Sequence, residues 1–98
     1  MILFFDTETA GLPHNWKAPH TDTNNWPRMV QLAWLVYSPQ GQKLSGGNYI
    51  IRPDGFTIPA EASRIHRITT ERALREGIAL QEVMSQFAQA LSTCSHVE

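Results

Sequence analysis

Asp6 and Glu8 are the residues of this chain best suited to do chemistry. They stand two apart at the end of an apolar run, Met1-Ile2-Leu3-Phe4-Phe5, that opens the sequence. Such a run reads as a short buried strand over residues 2–6. Along a strand, residues i and i+2 share a face, so both carboxylates should project together from its C-terminal end. Held that close and unpaired, they repel each other. A hard divalent cation such as Mg2+ or Mn2+ relieves the repulsion, because it takes oxygen ligands. Two such ions about 3.5–4 Å apart are the usual device for in-line phosphoryl chemistry. An isolated Asp-x-Glu triplet also suits a plain solvated strand end, so its surroundings decide.

The 98 residues amount to one small domain. Apolar residues make up 42% and charged residues 17%, which fits a folded globule rather than a disordered segment. The formal net charge is −1, so no global basic field points to nucleic acid. Such a partner must be met by a local patch or through metal ions. A single cysteine, Cys94, excludes an intramolecular disulfide and suits a reducing cytoplasm, the expected location. It reads as a small core residue rather than a nucleophile. The opening apolar run is too short, and meets an acid too soon, for a signal peptide or membrane span; no membrane partner is expected.

Residues 11–27 form a long polar loop with three prolines, Trp16 and Trp26; loops of that length in a small domain are often functional. Met29 to Tyr37 is apolar on both faces and reads as a central strand. The turn signal Ser38-Pro39-Gln40-Gly41-Gln42 then leads back into a third strand, Lys43 to Arg52, giving an antiparallel hairpin. Gly46-Gly47 within it suggests a bulge or twist. Pro59 opens a single helical turn through Ser63. Thr69-Thr70 can cap a short helix to about Glu76, ended by Gly77. Leu80, Val83, Met84, Phe87, Ala88, Leu91 and Cys94 recur at helical spacing and predict one apolar stripe packed on a sheet. Only Ser95-His96-Val97-Glu98 follows; His96 reads as a helix-end residue, and no further strand is expected.

Other residues admit two readings. Arg64, Arg67, Arg72 and Arg75 either touch phosphates or pair with the interleaved Glu61, Glu71 and Glu76. Trp16 and Trp26, with Lys17 nearby, either stack bases of a single strand or pin the loop to the sheet; pinning is the preferred reading. His14 and His20 read as solvated, and Trp34 as core.

Phe5-Asp6-Thr7-Glu8-Thr9-Ala10-Gly11-Leu12-Pro13 resembles the first motif of the DEDD 3′–5′ exonucleases, the family of ribonuclease T and the DNA polymerase III epsilon subunit. Pro27 to Ala33 is similar to that family's second strand. Ile58 to Thr69 resembles the segment whose histidine lies near the 3′-terminal nucleotide. Three matches at family spacing carry the resemblance. It implies an α/β, ribonuclease H-like fold, N-terminal part: a three-stranded antiparallel β-meander, short helices, and one long amphipathic helix packed on the sheet. It implies a 3′–5′ exonuclease hydrolysing phosphodiester bonds at the 3′ end of DNA or RNA, with two Mg2+ or Mn2+ ions. Asp6 and Glu8 would be the catalytic metal ligands, Asp6 bridging both ions. Thr7, Thr9 and Gly11 would meet the terminal nucleotide, Leu12 would wedge against the last base, and Ile65 and His66 would line the sugar pocket.

Two positions depart from the family pattern. Ala10 stands for a usual threonine, and Arg67 for a usual glycine at a turn where φ > 0 suits glycine. The family's remaining acids and general base have no counterpart here. Residues 1–98 would thus be the N-terminal part of a single exonuclease domain, with no appreciable nuclease activity alone. The strand over residues 2–6 would keep an open edge and invite self-association. Two other functions compete. One is a non-catalytic module binding nucleic acid or protein on a nuclease fold. The other is a haloacid dehalogenase-type phosphatase, whose Asp-x-Asp follows an opening strand but whose next element should be a helix.

Overall fold

A computed structural model describes residues 1–98. Three strands come first: β1 (Ile2–Thr9), β2 (Met29–Tyr37) and β3 (Lys43–Ile50). Three helices follow, α1 (Ala60–His66), α2 (Thr70–Glu76) and α3 (Leu80–Ser92), then a two-residue strand β4 (His96–Val97). The sheet order is β3-β2-β1-β4. β1 pairs antiparallel with β2, and β2 with β3, so the expected meander is present. No helix lies between β1 and β2, which removes the parallel β-α-β arrangement that the phosphatase reading needs.

β1 runs to Thr9, three residues beyond the expected strand over 2–6. Asp6, Thr7 and Glu8 stay in register with Ala33, Leu32 and Gln31 of β2, because a strong partner strand carries the ladder past polar side chains. Between Glu8 and Thr9 the register slips and Val30 is left without a β1 partner. This bulge re-aims the chain. Val30 packs with Ile58, Ala62, Ile68 and Ala73 of the α1–α2 region. Leu32, Trp34 and Val36 pack instead with Leu3, Ile51 and Val83 of α3. Val30, Leu32, Trp34 and Val36 alternate onto one face of β2, so both clusters lie on that side; Phe4 and its partner Leu35, on the other, stay 44% and 39% exposed.

Several expectations need correcting. Gly46-Gly47 makes no bulge; the irregularity lies between Val36 and Tyr37, opposite Leu44. The glycines make room for Trp34: a Cβ on Gly47 would lie 2.5 Å from Trp34 Cζ2. Only part of the α3 stripe is covered. Val83, Phe87, Ala90, Leu91 and Cys94 meet the core, whereas Leu80 and Met84 stay 42% and 39% exposed. Gln86, assigned to the polar face, accepts the Tyr49 hydroxyl at 2.7 Å.

The chain end also differs from expectation. His96 is a strand residue: His96 and Val97 pair in parallel with Ile2 and Leu3. Leu3 O accepts the Glu98 N–H at 2.7 Å, and Glu98 O accepts the Phe5 N–H at 3.0 Å. The edge of residues 2–6, expected to be open and self-associating, is therefore filled as far as Phe5. The next N–H on that edge, of Thr7, is taken by Asp6 Oδ1 at 3.0 Å. No helix is long and apolar enough to cross a membrane.

The helices explain themselves locally. α1 makes two turns rather than one, with Pro59 as its N-cap. It ends at Arg67, which adopts φ 66° and ψ 16°. That left-handed conformation costs a residue with a Cβ about 1–2 kcal/mol. Arg67→Gly should raise stability by roughly 0.5–1 kcal/mol, since glycine's looser unfolded chain offsets part of the relief. Thermal unfolding checks this: the melting temperature should rise by about 2–8 °C, and an unchanged or lower one contradicts it. α2 is capped as its sequence suggests, Thr69 Oγ1 accepting the Arg72 N–H at 3.1 Å.

Candidate active site

β1 and the turn after it face α1 across a cleft of about 620 Å³. Thr7, Glu8, Thr9, Ala10, Gly11 and Leu12 form one wall; Pro59, Glu61, Ala62, Ile65 and His66 form the other. Short local bonds set both walls. Thr9 Oγ1 donates to Gly11 O at 2.8 Å and tightens the turn. The Ala10 N–H bonds Arg28 O at 2.9 Å and closes the base of the long loop. Across the cleft, Ser63 Oγ donates to Ile68 O at 2.8 Å, and the Ile58 N–H bonds Thr70 Oγ1 at 2.8 Å. These bonds fix α1 against the start of α2.

Seven of the eight residues singled out in the sequence meet in this cleft. Asp6 is the exception. It lines an adjoining hollow of about 340 Å³ with Phe4, Ala33 and Asn48. Strand alternation puts Asp6 and Glu8 on the sheet face opposite Phe5, whose ring packs edge-on against Phe87 of α3 at 5.7 Å. The two carboxylates thus sit side by side along β1, one in each recess.

Neither carboxylate is neutralised by the protein. The ion pairs are Arg72–Glu76, Arg75–Glu76 and His96–Glu98. Glu76 therefore claims two of the four clustered arginines, while Arg64, Arg67, Glu61 and Glu71 pair with nothing. No lysine or arginine lines the cleft, and it holds a second acid, Glu61. Glu61 was legible only as a possible arginine partner; its place opposite Glu8 depends on where α1 docks. Such a recess repels a phosphate unless a cation intervenes.

The donors present fit a hard cation. Asp6 is exposed and accepts only the Thr7 N–H; Glu8 accepts no hydrogen bond. Mg2+ is commonly held by one or two carboxylates, with waters and substrate phosphate completing its shell. No group of three or more His, Cys, Asp or Glu side chains converges anywhere in the chain, so the donors fall short of a two-ion centre.

The other side chains in the cleft are apolar or polarised. Leu12 and Ile65 are 77% and 82% exposed on opposite walls. His66 Nδ1 accepts the Ile68 N–H at 3.1 Å, which leaves the ring proton of the neutral imidazole on Nε2. That Nε2 is buried without a partner.

The long loop is pinned, but not as expected. Trp26 Nε1–H bonds Pro19 O at 2.9 Å, tying the loop to itself rather than to the sheet. Trp16 is 70% exposed, so it pins nothing; Trp34 is core, at 6%.

No family model matches the chain, and no curated protein matches it in sequence. Solved structures do match in shape. E. coli Exonuclease I in complex with a dT13 oligonucleotide superposes with a TM-score of 0.74 at 18% identity, over 98% of this chain and 19% of that one. Exonuclease I from Methylocaldum szegediense gives 0.75 at 20% identity, over 98% and 19%. Cell-death related nuclease 4 gives 0.64 at 22% identity, over 94% and 30%. The chain thus spans about a fifth of the Exonuclease I structures it matches. With its antiparallel meander, its short helices and its long covering helix, this chain has the fold of an N-terminal portion of the ribonuclease H-like exonucleases.

Proposed function

We propose that this chain is the N-terminal part of a 3′–5′ exonuclease domain, hydrolysing phosphodiester bonds at the 3′ end of DNA or RNA with Mg2+ or Mn2+. The observation that carries the reading is the cleft between β1 and α1. It is acidic, free of lysine and arginine, and flanked by two carboxylates that no arginine neutralises. A polyanion enters such a place only with divalent metal. The exonuclease-shaped neighbours support it, one of them solved with bound oligonucleotide.

A bound divalent ion would supply Lewis acidity at phosphate oxygens and lower the pKa of water. The chain's own residues do the rest. Asp6 and Glu8 hold the ion. Leu12 and Ile65 clamp the terminal base between apolar surfaces, and the His66 Nε2–H offers a hydrogen bond to an oxygen of the terminal nucleotide. Two carboxylates fall short of a two-ion centre, so the chain alone should bind a 3′ end without trimming it efficiently.

The test is fluorescence anisotropy with a 5′-labelled oligonucleotide. Mn2+ should tighten binding by about tenfold or more, or 1.4 kcal/mol, and a bulky 3′ block should remove that gain. Affinity indifferent to Mn2+ would overturn the proposal. Rapid 3′ trimming would contradict the incomplete metal site.

A further inference from the structure

Ile65, Leu12 and Trp16 are the three most exposed large apolar side chains, at 82%, 77% and 70%. The first two flank the cleft. The third stands four residues past Leu12, hence within about 14 Å of it by chain length alone. A lone exposed apolar residue needs no explanation. Three that rank highest, two of them on one acidic cleft and the third four residues along the chain, do.

Trp16 is also held out deliberately. The buried Asn25, 7% exposed, grips Asn15 on both sides of its backbone. Asn25 Oδ1 accepts the Asn15 N–H at 2.6 Å, and Asn25 Nδ2 donates to Asn15 O at 2.9 Å. The Asn15 side chain then accepts the Lys17 N–H at 3.0 Å. Trp16 is therefore bracketed by fixed backbone. Its ring meets Trp26 edge to face at 6.4 Å and 77°, while Trp26 itself is anchored through Nε1. Burying a large ring against the loop was open to this sequence, as Trp26 shows; Trp16 faces water instead. Lys17, next in the chain, makes no ion pair.

We infer that Trp16 is a stacking platform for an unpaired base of a single-stranded nucleic acid, upstream of the end seated in the cleft, with Lys17 beside the backbone phosphate. The inference rests on the proposed exonuclease reading and adds a second subsite to it. A base stacks on an aromatic face whatever its sequence, so the site takes single strands and excludes paired ones, whose bases are already stacked.

The experiment compares wild type, Trp16→Ala and Trp16→Phe binding a 5′-labelled oligothymidylate in Mn2+, beside the same oligomer with its upstream bases replaced by abasic positions. Trp16→Ala should weaken binding by about five- to a hundredfold, Trp16→Phe by about threefold or less. The abasic oligomer should weaken wild type comparably and Trp16→Ala hardly further. Equal affinity of Trp16→Ala and wild type overturns the inference while leaving the Mn2+-dependent cleft intact. Equal loss in Trp16→Ala and Trp16→Phe also overturns it, since the ring would then be shaping the loop. No binding by wild type overturns both this inference and the reading beneath it.

Discussion

Gly77→Ala should destabilise the chain by about 3 kcal/mol, near the upper end for inserting atoms where none fit. Backbone strain is not the cause, since Gly77 sits at φ −74° and ψ 153°, open to any residue. Space is. A Cβ there would overlap Ala73 O and lie 2.7 Å from both the Arg52 N and Cα. All of these are main-chain atoms, which cannot rotate away. They belong to a tight junction: the Gly77 N–H bonds Ala73 O, the Ile78 N–H bonds Ile50 O, and the Arg52 N–H bonds Ile78 O, at 2.8, 2.8 and 2.9 Å. A methyl group pushes the end of α2 off the end of β3, and α1 with the cleft wall follows. At about 4–8 °C per kcal/mol for a domain this size, the melting temperature should fall by roughly 12–24 °C. Gly11→Ala is the control, because a Cβ there meets nothing within 4 Å; it should melt close to wild type. Equal melting of Gly77→Ala and wild type contradicts the packing described.

That same junction shows what a sequence can and cannot announce. Thr69 as a cap and Gly77 as a stop are local signals, and α2 begins and ends where they say. Part of the reason Gly77 must be glycine, the main chain of Arg52, lies 25 residues away, and no local pattern carries that part. Gly46-Gly47 behaves alike: the pair was visible as unusual, but its purpose is the ring of Trp34 on the neighbouring strand.

β4 left no trace because two residues have no periodicity. What places His96 and Val97 beside Ile2 and Leu3 is main-chain pairing at an edge, which any side chains tolerate. The apolar stripe of α3 was legible as a stripe. How much of it is covered depends on the sheet's position, which left Leu80 and Met84 outside. At the site, Asp6 and Glu8 were nameable from their spacing, and Thr7, Thr9, Gly11, Leu12, Ile65 and His66 only from the family resemblance. That Asp6 occupies its own recess, that Glu61 faces Glu8, and that Trp16 stands free while Trp26 is tied down follow only from how the helix docks and the loop folds.

Asp6→Asn with Glu8→Gln should abolish divalent-metal binding while leaving the fold untouched. Both replacements keep shape and remove charge. Asp6 accepts only one hydrogen bond, from the adjacent Thr7 N–H, which an asparagine oxygen can also accept, and Glu8 accepts none. Thermal unfolding of the double variant in metal-free buffer should therefore match wild type within about 0.5 kcal/mol, as for surface changes that remove no partner. Either replacement alone should weaken Mn2+ binding by about tenfold or more, which is 1.4 kcal/mol. Isothermal titration of Mn2+ into wild type and the double variant tests the role of these carboxylates directly. Saturable heat from wild type and none from the variant is the predicted result; superimposable isotherms from the two would contradict it.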